Sequence, residues 1–240
     1  MQRNIIFKSS IRPKNTSLND HLVSFYNKVR DQTLKLSAPL SEADQCIQSM
    51  PDASPTKWHL AHTTWFFETF ILKRFVTDYI DFHPNYNFLF NSYYELIGDR
   101  HNRPERGMRT RPSSAEVYEY RNHVDNAMKD YFQIKPTSDA LKLIELGIHH
   151  EQQHQELLIT DIKHALSKNA LNPAYKEHKP IKALSISEAS WTEHTGGHVE
   201  SGNAGKGCNL GTEGQVEKTE RERWRLEKQR VDKMEKRKYS

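Results

Sequence analysis

The 240-residue sequence contains little cysteine and few hydrophobic residues, and both shortages restrict what the protein can be. Its two cysteines, Cys46 and Cys208, lie far apart in unlike surroundings, which excludes a disulfide framework and favours a reducing compartment. Hydrophobic residues make up 35 % of the chain, against roughly 45–50 % in an average globular domain. The deficit falls at the two ends, so we expect residues 20–170 to supply the core.

Long apolar runs and a strong charge of one sign are missing as well. No run approaches the roughly 18 residues needed to span a bilayer, and the amino-terminal segment lacks the apolar stretch of a secretory signal. The net charge is +4, but residues 213–240 hold ten Lys/Arg against seven Asp/Glu and so carry three of those charges. A nearly neutral body argues against a nucleic-acid groove. We therefore expect a cytoplasmic protein that binds neither membranes nor nucleic acid.

Helical periodicity is what the sequence does contain. Apolar residues recur at helical spacing in four long segments, which begin near Ser17, Ser54-Pro55, Ser113 and Thr137 with capping or first-turn residues. The last segment is the longest and runs to about Leu166. Residues 78–111 form a connection too long for an ordinary bundle loop, and its aromatic residues predict an ordered crossover. Four long helices with one long crossover predict an all-α four-helix bundle.

Histidines occur near the middle of the second and fourth helical segments. His150 and His154 lie one turn apart on one helix face and can bind one metal ion between them. A third imidazole, from His59 or His62, would complete a three-histidine set with open coordination positions, which is typical of a catalytic metal. Zinc, iron, copper and nickel all accept imidazole, so the metal stays open. The plainer alternatives are a surface polar pair on the fourth segment and a core histidine bonded to a backbone carbonyl on the second.

Two further patterns allow other interpretations. Residues 150–154 match the H-E-x-x-H motif of zinc proteases, in which the glutamate is the general base. The usual third ligand is missing, because His164 lies on the same helix and the later histidines lie in polar segments. The long connection carries arginines that can bind a carboxylate or phosphate, although a solvated basic loop has the same composition.

Four motifs together resemble the amino-terminal domain of the sulfoxide synthases of ergothioneine biosynthesis. They are SPTKWHLAHTTWFFE at residues 54–68, FNSYYE at 90–95, RHNRPERG at 100–107 and HEQQHQE at 150–156. The similarity covers roughly residues 20–210. It implies a DinB-like four-helix bundle that holds Fe²⁺ in an enzyme joining hercynine to cysteine or γ-glutamylcysteine with O₂.

The resemblance also implies roles for individual residues. By their positions in the motifs, the iron ligands would be His62, His150 and His154. Gln153 would contact hercynine, and Arg103 and Arg106 would bind a carboxylate of the thiol substrate. His59 and His149 would then support the site or the fold. No residue of the chain is assigned to the chemical step itself.

The chain departs from this family in its last part. Residues 190–202 resemble the first strand of the family's second domain, which is similar to formylglycine-generating enzymes, and the likeness ends near Cys208. We therefore expect a disordered lead-in at 1–16, the bundle at 17–170, a linker at 171–189, a truncated second domain at 190–207 and a charged, poorly folded tail at 208–240. A frameshift would explain the change of character, a hypothesis that the other two reading frames of the gene would test.

The expected function follows from this organisation. Because the family's second domain supplies much of the substrate pocket, we expect the bundle to keep its metal and to have little or no synthase activity alone. Two alternatives stay open: a DinB-like metal-dependent thiol transferase or hydrolase, and a non-catalytic bundle that acts through partners. Metal content and sensitivity to O₂ distinguish the synthase domain from these two alternatives.

Overall fold

A computed structural model describes residues 18–92 and 101–177, together with the backbone of two strands at 197–201 and 217–221. The chain divides into two compact units, Met1–Glu177 and His178–Ser240. In the described part of the chain, no helix is both long enough and apolar enough to cross a membrane.

Four long helices build the first unit, as the periodicity predicts. They are α1 (Leu18–Ser37), α3 (Thr56–Phe67), α6 (Ser114–Gln133) and α7 (Ser138–Ser167), and the short helix α2 (Glu42–Cys46) lies between the first two. Helix α1 packs on α7, while α3 packs on both α6 and α7. Apolar side chains of all four helices form one core, so the prediction of an all-α four-helix bundle is confirmed.

The helix starts follow local hydrogen-bond chemistry, with one departure from expectation. Ser113 caps α6 in a reciprocal capping box with Glu116, and Thr137 accepts from a backbone N–H of α7. Ser54 was expected to cap α3, but this prediction is wrong. Pro55, which has no polar side chain, occupies the cap position, and the Ser54 hydroxyl instead accepts a hydrogen bond from Arg106.

Helix α3 is the central element of the bundle. All twelve of its residues are buried, as its aromatic composition predicts. The helix continues through a π-helical turn (Glu68–Leu72) into α4 (Lys73–Phe75). Within that turn the buried Glu68 carboxylate accepts hydrogen bonds from the hydroxyls of Tyr79 and Tyr120. These bonds join the turn to α6 and to the start of the long connection.

The long connection between α4 and α6 contains two short helical pieces in its described part. They are α5 (Tyr86–Phe90) and a 3₁₀ helix (Arg103–Met108), and residues 93–100 lie outside the described part. The Lys57 ammonium donates to the carbonyls of Arg109 and Pro112, while the Gln48 side chain bonds Arg103 and Gly107. The Lys57 bonds hold the connection against the first residues of α3, and the Gln48 bonds hold it against the segment between α2 and α3.

The second unit contains an antiparallel pair of strands. β1 (Gly197–Ser201) pairs with β2 (Glu217–Arg221), with Gly197 opposite Arg221 and Ser201 opposite Glu217. β1 falls within the segment predicted to begin a second domain, and β2 within the segment predicted to be a charged tail. The predicted lead-in at 1–16 and most of the predicted linker lie outside the described residues.

Candidate metal centre

Two facing helices bring three histidines together in the bundle. His62 comes from α3, and His150 and His154 come from successive turns of α7. One ligand nitrogen from each imidazole can be chosen so that all three lie within 4.8 Å of one another. The three residues are only 2 %, 7 % and 9 % exposed, respectively. The structure thus assembles the three histidines that the resemblance assigns as ligands.

Burial keeps these imidazoles neutral near pH 7. It lowers the pKa of His150 to about 4. Burial and then the neighbouring imidazole of His150 hold the pKa of His62 well below its usual value, and burial and then His62 do the same for His154. A neutral imidazole offers a lone pair, which is the form that binds a metal ion.

Stacking and one hydrogen bond fix the orientation of His62. Its ring lies between Trp58 and Trp65, with centroid distances of 4.5 and 5.4 Å and nearly parallel planes. Its Nδ1 lies 2.6 Å from the carbonyl oxygen of Phe90, to which it donates. The proton is therefore on Nδ1, and Nε2 is the nitrogen left for a metal.

His154 is held by other side chains. Its Nδ1 lies 2.9 Å from Nδ1 of His59, and His59 Nε2 lies 3.0 Å from an oxygen of Asp161. His59, one of the two candidates for the third ligand on α3, is thus hydrogen-bonded at both ring nitrogens, whereas His62 is bonded at one. The geometry favours His62 as the ligand and places His59 behind His154.

His150 provides a test of whether the site fits a metal ion. Its Nδ1 is buried and makes no hydrogen bond within the described part of the chain. A buried nitrogen without a partner costs about 1–3 kcal/mol. The ring also lies edge-on to His62 and His154, at centroid distances of 4.9 and 4.6 Å. Three clustered neutral imidazoles with an unsatisfied nitrogen match the ligand set of a divalent transition metal.

Glu151 cannot act as the general base of a zinc-protease motif in this arrangement. Its carboxylate is fully buried and accepts hydrogen bonds from Arg30, Arg121 and Thr33 at 3.0, 2.9 and 2.7 Å. Burial alone would raise the pKa of Glu151, but Arg30 and Arg121 outweigh it and hold this pKa at about 2. The H-E-x-x-H interpretation therefore lacks its base.

The residues predicted to bind substrate occupy three different environments. Gln153 is exposed on α7, next to His154. Arg106 is 5 % exposed, stacks on the Trp58 ring at 3.4 Å and donates to the hydroxyls of Ser54 and Ser92. Arg103 is half-buried on the same 3₁₀ helix and donates to the carbonyl of Asp52. Their roles towards substrate stay predictions.

Sequence reasoning missed the Phe90 carbonyl, which accepts from His62, and Asp161, which bonds to His59 behind His154. Asp161 follows His154 by seven residues on α7, which is two helical turns and therefore the same face. That spacing is a signal that could have identified it. The Phe90 carbonyl had no such signal, because it depends on how α5 packs against α3.

Comparison with known proteins gives one result that bears on this site. A family model described as the DinB superfamily matches residues 26–158, which is more than half of the chain and includes all three clustered histidines. A comparison with curated proteins finds no match. With the helical bundle and the histidine cluster already described, this match means that the chain belongs to the DinB superfamily.

Proposed function

We propose that the bundle is the metal-binding domain of an Fe²⁺- and O₂-dependent sulfoxide synthase that joins hercynine to cysteine or γ-glutamylcysteine. The observation that carries the metal-binding part is the cluster of His62, His150 and His154, which are buried, neutral and within 4.8 Å of one another at their ligand nitrogens. The motifs at residues 54–68, 90–95, 100–107 and 150–156 support the choice of reaction.

The ligand set is compatible with this chemistry. Three neutral imidazoles leave coordination positions open, which distinguishes a catalytic from a structural metal site. Iron bound in this way supplies a centre at which an imidazole, a thiolate and O₂ can meet for oxidative carbon–sulfur bond formation. The protein's part is to keep the imidazoles unprotonated, which burial achieves, and oriented, which the stacking on His62 and the hydrogen bonds to His62 and His154 achieve.

The substrate-binding part of the proposal uses Gln153, Arg103 and Arg106. Gln153 is exposed on the helix that carries two of the histidines, so it is available to a bound hercynine. Arg106 stacks on Trp58, and Trp58 in turn stacks on the His62 ring, so a single aromatic ring separates the positive charge of Arg106 from the cluster. A carboxylate of the thiol substrate held by Arg106 and Arg103 would lie beside the metal.

The test begins with metal binding by the full chain. We expect purified protein to take up Fe²⁺ under anaerobic conditions with a stoichiometry near one, and His62→Ala to lose that binding. His149→Ala is the matched control, because His149 lies on α7 but contacts Phe25 and Gln152 instead of the cluster. Equal loss of iron in both variants would contradict the assignment of His62.

The reaction is tested separately from the metal. Because we expect the bundle alone to have little or no synthase activity, O₂ consumption by the iron-loaded chain should be weak, should require both hercynine and a thiol, and should yield a sulfoxide product detected by mass spectrometry. A zinc-loaded chain that is active without O₂ would favour a thiol transferase or hydrolase instead. A chain that binds no divalent metal would favour a non-catalytic bundle.

A further inference from the structure

A hydrogen-bonded chain of three side chains ends at one of the proposed metal ligands. Asp161 Oδ2 lies 3.0 Å from His59 Nε2, and His59 Nδ1 lies 2.9 Å from His154 Nδ1. Asp161 and His154 both belong to α7, whereas His59 belongs to α3. The chain therefore crosses from one helix to the other and back within a buried part of the bundle.

The chemistry of the three groups determines where their protons lie. An ionised carboxylate only accepts hydrogen bonds, so His59 must donate from Nε2 to Asp161. A neutral imidazole carries one N–H, so Nδ1 of His59 is then an acceptor. His154 must consequently donate from its own Nδ1. Its Nε2 is left with a lone pair.

We propose that Asp161 and His59 are positioning residues that fix the proton of His154 on Nδ1 and so hold Nε2 ready to bind the metal. The inference rests on the metal site proposed above. Neither residue is a ligand in this arrangement. In water a neutral imidazole favours a proton on Nε2, the tautomer that would block this nitrogen. The hydrogen-bonded chain reverses that preference before the metal arrives.

The same outcome is reached at His62 by a different route. There the carbonyl oxygen of Phe90 accepts from Nδ1 and leaves Nε2 for the metal. Outer hydrogen bonds of this kind orient ligand imidazoles, and their loss commonly costs about 10- to 100-fold in metal affinity. At His154 the outer partner is a side chain, so it can be removed by substitution without altering the backbone.

Asp161 has a second bond that must be separated from this role. The same oxygen, Oδ2, accepts from the backbone N–H of Ser54 at 2.8 Å, just before α3 begins. Removal of the carboxylate therefore loosens the start of α3 as well as His59. Asp161→Asn keeps an accepting oxygen of the same size, and Asp161→Ala does not. A comparison of the two variants separates the acceptor from the negative charge, and His59→Phe, which leaves the Ser54 bond in place, separates the bond to His59 from the bond to Ser54.

The first experiment needs no variant and no metal. Long-range ¹H–¹⁵N correlation spectra of the metal-free full chain report which nitrogen of each histidine carries the proton, at a pH where the rings are neutral. We expect His154 to be protonated at Nδ1 and His59 at Nε2. Protonation of His154 at Nε2 would overturn the inference.

The second experiment measures Zn²⁺ and anaerobic Fe²⁺ affinity by competition with a chromophoric chelator. We expect His59→Phe and Asp161→Ala to bind about 10- to 100-fold more weakly, with Asp161→Asn much closer to the unaltered chain. His149→Phe is the control, and its affinity should be unchanged. Folded variants that retain full affinity would show a merely structural role and overturn the inference.

The two experiments also separate this inference from the proposed function. If the unaltered chain binds neither metal, the metal site itself is wrong. If it binds metal while the tautomers are reversed, only the positioning role of Asp161 and His59 is wrong. Where a variant fails to fold, the spectra of the unaltered chain still decide.

Discussion

At the scale of single residues, the buried Arg30 is a charge that contacts the other three long helices. From α1 it donates to Asp125 on α6, Glu151 on α7 and Thr64 on α3, at 2.7 to 3.1 Å. Arg121 of α6 bonds the other oxygen of Glu151. The cost of taking these charges out of water is offset only while each keeps its partners. Glu151 therefore supports the architecture in which the neighbouring His150 is held.

The substitution Glu151→Gln tests this assignment. The amide keeps the size of the side chain but leaves two buried guanidinium groups facing a neutral partner, so we expect a loss of about 3–5 kcal/mol in the free energy of unfolding. Urea denaturation followed by circular dichroism measures it. Glu156→Gln is the matched control, because Glu156 is exposed on the same helix and should change stability by less than about 0.5 kcal/mol. Similar losses in both variants would contradict the assignment.

The residues of the candidate site were predictable from the sequence only where their local spacing or a motif identified them. His150 and His154 follow from their separation on one helix, and the resemblance selected His62 over His59. The partners of Glu151 lie 30 residues away at Arg121 and 121 residues away at Arg30. No local pattern encodes such pairs, since they depend on the rotation and crossing of packed helices.

At the scale of elements, the approach of α3 to α7 depends on one glycine. A Cβ atom on Gly147 would lie 2.7 Å from Cε1 of Phe67 and 2.8 Å from Cε1 of Phe66, closer than atoms can pack. Both rings are buried, and Phe66 also contacts the ring of His150. The missing side chain is what lets the histidine-bearing helices lie this close.

Gly147→Ala should therefore destabilise the protein, although alanine is the better helix former. The helical preference contributes about 1 kcal/mol of stabilisation, whereas overpacking against fixed rings costs about 1–3 kcal/mol, and we expect the second effect to win. Thermal unfolding measures the difference. In the double variant Gly147→Ala/Phe66→Leu the smaller side chain should recover part of the loss, and additive effects would show that the Phe66 contact is not the cause.

Element boundaries were predictable where the capping chemistry is local and not where a distant residue competes. Ser113 and Glu116 form their capping box within one turn of α6, and the sequence predicts this start correctly. Ser54 has the same capping ability, but its hydroxyl accepts from Arg106, 52 residues later. The π-helical turn at Glu68–Leu72 had no signal in the periodicity, because its buried glutamate is satisfied by tyrosines from other segments.

At the scale of the whole molecule, the all-α class and the four-helix count follow from periodicity, caps and one long crossover. The path of that crossover cannot be predicted from these sequence features, because it depends on individual bonds such as those from Lys57 to the carbonyls of Arg109 and Pro112. These bonds bring the 3₁₀ helix with Arg103 and Arg106 to the start of α3. The arginines were identified from their motif, while their place beside Trp58 needed the structure.

Every residue in the candidate metal centre lies in the first unit. The ligands His62, His150 and His154, and the residues that hold them, Phe90, His59 and Asp161, all precede the division after Glu177. We therefore expect a chain of residues 1–177 to bind Zn²⁺ with the affinity of the full chain, since it keeps every bond that the described residues make to these imidazoles. Competition with a chelator measures both affinities, with circular dichroism to verify that the helices are intact. A folded 1–177 chain that binds Zn²⁺ at least tenfold more weakly would mean that residues after 177 help to hold the metal.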